Sequence, residues 1–267
     1  MTSVSALWQF PIKSCAGVPL EQAEVGPRGF GGDRRWMLVN PEGGHVTQRE
    51  IGALAKVKCS ATKTGISFAE GPDVLFASVV TPVRVTIWGD TVDALEAPKE
   101  VSAWLSGRLG APLRLVYMSP ECVRPVSPEF SDPGDEVSFA DGFPILVISE
   151  ASLASLNRHL ETDIPMLRFR PNVVVQGCDP FAEDTWRRIR VGSIEFDVAK
   201  PCARCVVVDT DPQTGIRKKG VLSTLSKFRR VDNKVLFGQN VIPRGIGTIR
   251  VGDPVEILEI GPGNPAL

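Results

Sequence analysis

Cys202 and Cys205, in the stretch AKPCARCVVVDT, are the first residues in this 267-residue chain whose type and spacing suggest chemistry. A C-x-x-C pair can serve as a redox disulfide, half of a zinc site, a thiolate ligand for a softer metal, or two small buried hydrophobes. A structural zinc site needs four Cys or His ligands, and no second C-x-x-C pair is available to complete one. A thioredoxin-like pair sits where a strand passes into a helix, whose N-terminus lowers the thiol pKa. Here Cys205 runs into VVVDTD, which reads as a strand. Lys200 and Arg204 flank the pair and favour a thiolate. A thiolate beside positive charge suits a soft metal that brings most of its own ligands. Burial of both cysteines as packing residues at the start of a strand is the competing reading.

Other polar groups point toward anion binding. RFRPN places Arg168 and Arg170 on one face of an extended segment, with Asn172 two residues further along it. GDRRW supplies Arg34 and Arg35, and FPIKS supplies Lys13 and Ser14. Guanidinium forks, a lysine, a hydroxyl and an amide are the groups that hold a phosphate and a hydrogen-bonding heterocycle. Histidine is limited to His45 and His159, the latter in a helical stretch among polar neighbours, so Ser-His-Asp and Cys-His catalysts are poorly supported. Neither a P-loop nor a G-x-G-x-x-G fingerprint occurs, and GPRGFGGD reads as a turn between strands.

The elements that must position these groups are mostly strands. β-branched runs such as LRLVYM, FPILVIS, RFRPNVVVQG, IRVGSIEFDVA and CVVVDTD are separated by turn residues, as in a barrel-like β domain. PVRVTIWGDTVDALE reads as a hairpin turning at Gly89–Asp90. Two helices are expected. One follows Pro98 and stops at Gly110; the other is capped by Ser149, with Glu150 in its first turn. The Pro-, Ser- and Asp-rich stretch 119–136 reads as a surface linker, dividing a β-rich module at 1–120 from a second domain at 121–267. With 43% hydrophobic and 23% charged residues and a net charge of −1, the chain has neither a basic field for nucleic acid nor an acidic tail. No apolar run reaches the roughly 20 residues of a membrane span, and six sparse cysteines point to a reducing cytoplasm.

These residues resemble a known family. FPIKSCAGVPLEQAEVGPRGFGGDRRWMLVN is similar to the N-terminal β-barrel module that precedes MOSC domains (molybdenum cofactor sulfurase C-terminal domains). FADGFPILVISEASLASLN, RFRPNVVVQGCDPFAEDTW, KPCARCVVVDTDPQTG and LFGQNVIPRGIGTIRVGDPVEIL resemble the MOSC domain itself, in the expected order. Within the family, the chain resembles the amidoxime-reducing branch. It implies a mainly β protein, a β-barrel MOSC domain plus a β-rich N-terminal module with a few short helices, binding a molybdenum cofactor (Mo-molybdopterin).

The resemblance further implies Cys205 as the molybdenum ligand and catalytic centre, with Ala203 and Arg204 holding the pterin. Lys13, Ser14, Arg34, Ser149, Arg170 and Asn172 would complete the cofactor site. The implied reaction is two-electron reduction of small N-hydroxylated compounds, amidoximes and hydroxylamines. Many bacterial relatives continue into a ferredoxin-type domain, and the mitochondrial ones begin with a targeting segment and membrane anchor. This chain ends at GPGNPAL and opens without such a segment, so a separate ferredoxin- or cytochrome-type donor protein and no membrane attachment are expected. A cofactor carrier or sulfur-transfer module without substrate chemistry is the alternative. Cys202, three residues before the ligand, is expected to face the opposite side of the strand and to pack. Cys15, Cys59, Cys122 and Cys178 are expected to be structural, though Cys15 could approach the cofactor. Glu150, Asp209 and Asp211 are candidates for proton supply.

Overall fold

Runs that alternate apolar and polar residues pair into four sheets in the computed structural model, which describes residues 1–262. The largest has nine strands. Its main path runs from Val18–Leu20 and Ser3–Gln9 through Val173–Gln176, Ile145–Ser149, Lys234–Pro243, Ile194–Arg204 and Trp186–Val191 to Val255–Ile260. Neighbours are antiparallel except Ile145–Ser149 beside Val173–Gln176. The fold is mainly β, as expected, with three short α-helices among the described residues, the third, Val221–Ser226, not read from the sequence. The strand path does not close on itself, although backbone hydrogen bonds from Val4 to Asp253 and from Gly252 to Val4 lay the first strand against the approach to the last. Inside this sheet, Leu7, Val25, Val147, Phe196 and Val241 form one core. A register shift between Val4 and Ala6 lets Val4 and Leu7, three residues apart, share that interior.

The three-stranded sheet of Gly247–Arg250, Gln22–Gly26 and Gly29–Phe30 packs Ala23, Val25, Phe30 and Ile249 into the same core, while strands of the other two sheets build a second body around the buried Trp36 and Leu38. The hairpin Thr81–Ile87 with Asp90–Glu96 joins Arg114–Tyr117 and Trp36–Val39 in a four-stranded sheet. Helix Lys99–Leu109 buries Val101 and Leu105 and ends at Gly110, whose φ of 69° suits glycine. Ser149 caps helix Glu150–Asn157, its Oγ accepting from the Ser152 amide at 3.0 Å. No helix among the described residues is long and apolar enough to cross a membrane.

Sheet pairing crosses the division expected at 120/121, since Ser3–Gln9 lies between Val173–Gln176 and Val18–Leu20. The stretch 119–136 is pinned rather than a free linker. Arg28 donates to the carbonyls of Ser119, Pro120 and Cys122, and buried Arg124 donates to those of Ser138 and Ala140.

Three local expectations are corrected. The hairpin turns at Trp88–Gly89, because Ile87 pairs with Asp90. The supposed extended arginine segment, 168–172, starts at the end of a 3-10 turn, Met166–Arg168, and regular pairing begins only at Val173. Val206–Asp209 is a 3-10 turn, not a strand. The chain bends there to place Val208 in a core with Leu225 and Phe237, and Asp209 Oδ1 accepts from the Leu222 amide. Propensity for strand loses to burial of Val208.

Asp184 and Arg229 form a fully buried ion pair at 2.6 Å, completed by Gln239 Nε2 donating to Asp184 Oδ1 at 2.6 Å. Asp184→Ala leaves a guanidinium in the core without its counter-charge. Denaturant unfolding is expected to show a loss of about 3–5 kcal/mol.

Candidate functional site

A cavity of about 310 Å³ opens where the two bodies meet. Of the nine residues that the family resemblance singles out, it gathers eight: Lys13, Ser14, Arg34, Arg170, Asn172, Ala203, Arg204 and Cys205. Ser149 is the exception. It is fully buried beneath helix Glu150–Asn157, with its amide donating to Glu183 Oε1 and its hydroxyl bonded to Ser152, and it does not line the cavity.

Backbone pairing sets the first group. The Lys13 amide donates to Trp36 O, and the Arg34 amide to Phe10 O, so residues 10–13 run alongside 34–36. The Phe10 ring lies beneath two guanidinium groups, Arg34 at 4.6 Å and Arg170 at 4.2 Å from its centroid. Asp33 Oδ2 and Asn172 Oδ1 accept from Arg34 Nη1, while Arg34 Nη2 donates to Arg170 O. Arg35 turns away to Met118 O. The Asn172 side chain is committed to Arg34, to the Leu146 amide and to Trp8 O, so it positions the arginine.

The second group comes from the end of strand Ile194–Arg204. Cys202 lines the cavity instead of facing away. A register shift between Pro201 and Ala203 breaks the two-residue alternation on which that expectation rested. Arg204 Nη1 donates to Cys202 Sγ at 2.9 Å. Cys205 follows the strand and caps the 3-10 turn, and both cysteines are free thiols. With the strand after Cys205 gone, that argument against redox chemistry no longer applies.

The proposed proton donors lie elsewhere. Asp209 caps helix Val221–Ser226, and Asp211 accepts from the Gln213 and Thr214 amides and pairs with Arg168. Glu150 is exposed at its helix start, and none of the three lines the cavity. Among the described residues the one carboxylate lining it is Asp141, bonded to Lys13. Cys15 is fully buried, its thiol pushed well up by burial and by Cys59, and contributes only its carbonyl, which accepts from Arg170.

Seven cations line the cavity (Lys13, Arg34, Arg49, Arg168, Arg170, Lys200 and Arg204), in a chain whose net charge is −1. Burial lowers the Lys13 ammonium, with Arg124 and Arg34 adding to it against Asp141. Burial and the neighbouring Arg34 push Arg170 down to about 9. The Asp141 side chain is largely exposed, and Lys13, with Arg34 and Arg49 adding to it, holds its carboxyl well below the ordinary range. Arg168 Nε, Arg170 Nη2 and Arg204 Nε are buried without a partner among the described residues. A large anion with several acceptor atoms fits this donor set.

Strain gathers here too. Ser14, Arg34, Trp88 and Arg170 have φ between 48° and 67°, four of the six non-glycine residues with positive φ among the described residues, and all four line the cavity. Each costs on the order of 1–3 kcal/mol and persists only where surrounding bonds over-determine it. Thr47, Arg49, Trp88, Asp141 and Asn240 escaped sequence reasoning. The one available signal was WGD, a bulky tryptophan beside glycine at a hairpin turn.

Residues 134–256 match the MOSC domain and residues 1–112 the MOSC N-terminal beta barrel domain. Human mitochondrial amidoxime-reducing component 1 is 34% identical, the alignment covering 96% of this chain and 83% of that protein. Human mitochondrial amidoxime reducing component 2 is 32% identical over 95% and 82%. The chain belongs to the MOSC family. In this MOSC protein both matched segments build one cavity wall each, Lys13 to Trp88 from the first and Ala140 to Asn240 from the second.

Anion binding needs the charged forms of Lys13 and Arg170, and the lowered values mean that charge is lost at lower pH than for free side chains. Inorganic phosphate titrated calorimetrically into the protein is expected to bind at pH 7.5 and to weaken as pH rises through about 9. Arg170→Gln is expected to cut the pH 7.5 affinity by about tenfold or more.

Proposed function

We propose that this protein binds a molybdenum cofactor in the cavity between its two bodies and uses it to reduce N-hydroxylated compounds. The observation that carries this reading is a thiol, Cys205, in the wall of a cavity whose other polar groups are chiefly cationic and include unpartnered buried guanidinium N–H groups. Relatives about one-third identical over nearly the whole chain are named amidoxime-reducing components, which supplies the reaction class.

Cys205 Sγ would ligate the metal. Arg170, Arg204, Arg34 and Lys13 would hold the phosphate-bearing end, with Ser14 and the Ala203 backbone available to the heterocycle. When bound, the molybdenum centre supplies two-electron redox chemistry that no side chain offers. The chain's own part is to bind, orient and bias charge. Asp141 is held ionised by Lys13, so it orients the lysine instead of supplying a proton. Asn172 and Asp33 fix Arg34, and Phe10 supports Arg34 and Arg170 from beneath.

Overall, R–NH–OH takes two electrons and two protons to give R–NH₂ and water. Both human relatives are named as components, and the reading assigns electron supply to a separate ferredoxin- or cytochrome-type protein.

Protein made in a cofactor-synthesising host is expected to carry about one molybdenum and one pterin per chain and to reduce benzamidoxime with a supplied reductant. Cys205→Ala is expected to stay folded while its molybdenum content and turnover fall to background. Full molybdenum loading of Cys205→Ala would overturn the reading. Cofactor binding with no turnover by any reductant would favour a carrier.

A further inference from the structure

The cavity wall supplied by the N-terminal body holds a residue that its own turn disfavours. Trp88 is the first of the two residues linking Ile87 to Asp90, with φ 57°, while glycine, which tolerates that conformation, stands one position later. Its indole lines the cavity and is 41% exposed. The ring is not free to swing. Arg49 lies 4.4 Å from its centroid, Lys13 Nζ 5.4 Å, and the His45 ring meets it in a tilted edge contact at 4.5 Å. Strain kept in place by three supports marks a position where the side chain is needed and the backbone yields.

Charge supplies the second observation. Lys13, Arg34 and Arg168 each pair with a carboxylate, leaving Arg49, Arg170, Lys200 and Arg204 without one among the described residues. A phosphate dianion would answer two of those four.

We propose that Trp88 and Arg49 form the substrate subsite of this cavity, taking a planar group without positive charge and rejecting cations. The inference rests on the reductive reading above. The partly exposed indole, with the planar Arg49 guanidinium over its ring, makes a flat platform for an aromatic ring, and that guanidinium disfavours any cation placed there. The consequence lies in the product. An amidoxime is a weak base and enters neutral, whereas an amidine is a strong base and leaves protonated. With two electrons from the donor protein, R–C(NH₂)=NOH and three protons give R–C(NH₂)₂⁺ and water. The N–O bond breaks, its oxygen leaves as water, and the third proton rests on the amidine. One subsite therefore admits the substrate and expels the product.

The test is calorimetric titration of the full chain, without electron donor, using benzamidoxime, benzamidinium and benzoate. Benzamidoxime and benzoate are each expected to bind at least about tenfold more tightly than benzamidinium. Trp88→Gly is expected to weaken benzamidoxime by about three- to tenfold without lowering Tm, and Trp88→Phe to retain most of the affinity. Arg49→Gln is expected to tighten benzamidinium about fivefold.

Benzamidinium binding as tightly as benzamidoxime would overturn the proposal. So would a Trp88→Gly protein with a lower Tm and unchanged benzamidoxime affinity. If loaded protein fails to turn over benzamidoxime while these affinities hold, the reductive reading falls and the subsite stands. Turnover with a KM indifferent to Trp88→Gly sinks the subsite alone.

Discussion

The site depends on one chain of hydrogen bonds centred on Arg34. Buried Asp33 accepts from the Phe10 amide and from Arg34, whose guanidinium reaches Asn172 Oδ1 and Arg170 O. Asn172 in turn accepts from the Leu146 amide and donates to Trp8 O. These few groups join the loop after the first strand, the turn at 33–34 and two strands of the large sheet. Each polar partner is buried or half-buried, so loss of one would leave others unsatisfied in a low-dielectric setting, at a cost exceeding that of an exposed contact.

This chain makes it possible to concentrate like charges. Cations lining one small cavity repel each other, and burial penalises each one. The protein offsets part of this with Asp33, Asp141 and Asp211, and part with carbonyls, those of Cys15, Arg170, Val208 and Phe169. Aromatic faces contribute as well: Phe10 lies under Arg34 and Arg170, and Phe169 lies 5.1 Å from Arg204. Among the described residues, three of the seven buried side-chain atoms left without a partner and four of the six non-glycine residues with positive φ lie on residues that line the cavity. Stability given up at one place in this manner is the usual mark of a binding site.

The two thiols belong to the same economy. Cys202 is held by Arg204 on a bulged strand end, and Cys205 stands where the strand gives way to a turn. A regular strand would have sent them to opposite faces. The bulge brings both to one wall and aims the arginine between them at the cavity's charge.

Much of this was legible in the residues. Alternation in PVRVTIWGDTVDALE and the Gly110 stop announced a hairpin and a helix that both formed, the hairpin turning one residue earlier than read, because period and capping are local properties. The VVV run after Cys205 misled, since strand propensity was overridden by the burial of Val208 under helix Val221–Ser226. Ser149 misled differently: its capping role was read correctly, and that role consumes the hydroxyl. The sequence by itself determined the inventory, a C-x-x-C pair, a set of arginines and lysines, almost no histidine, and a β-rich chain to carry them. Only the tertiary structure decided which of these converge, that Cys202 joins them, and that Arg49, Trp88 and Asp141 belong. The reason is physical: Arg34 meets Asn172 across 138 positions, and Lys13 meets Asp141 across 128. Such encounters are set by strand pairing and burial between distant segments, which no local propensity encodes.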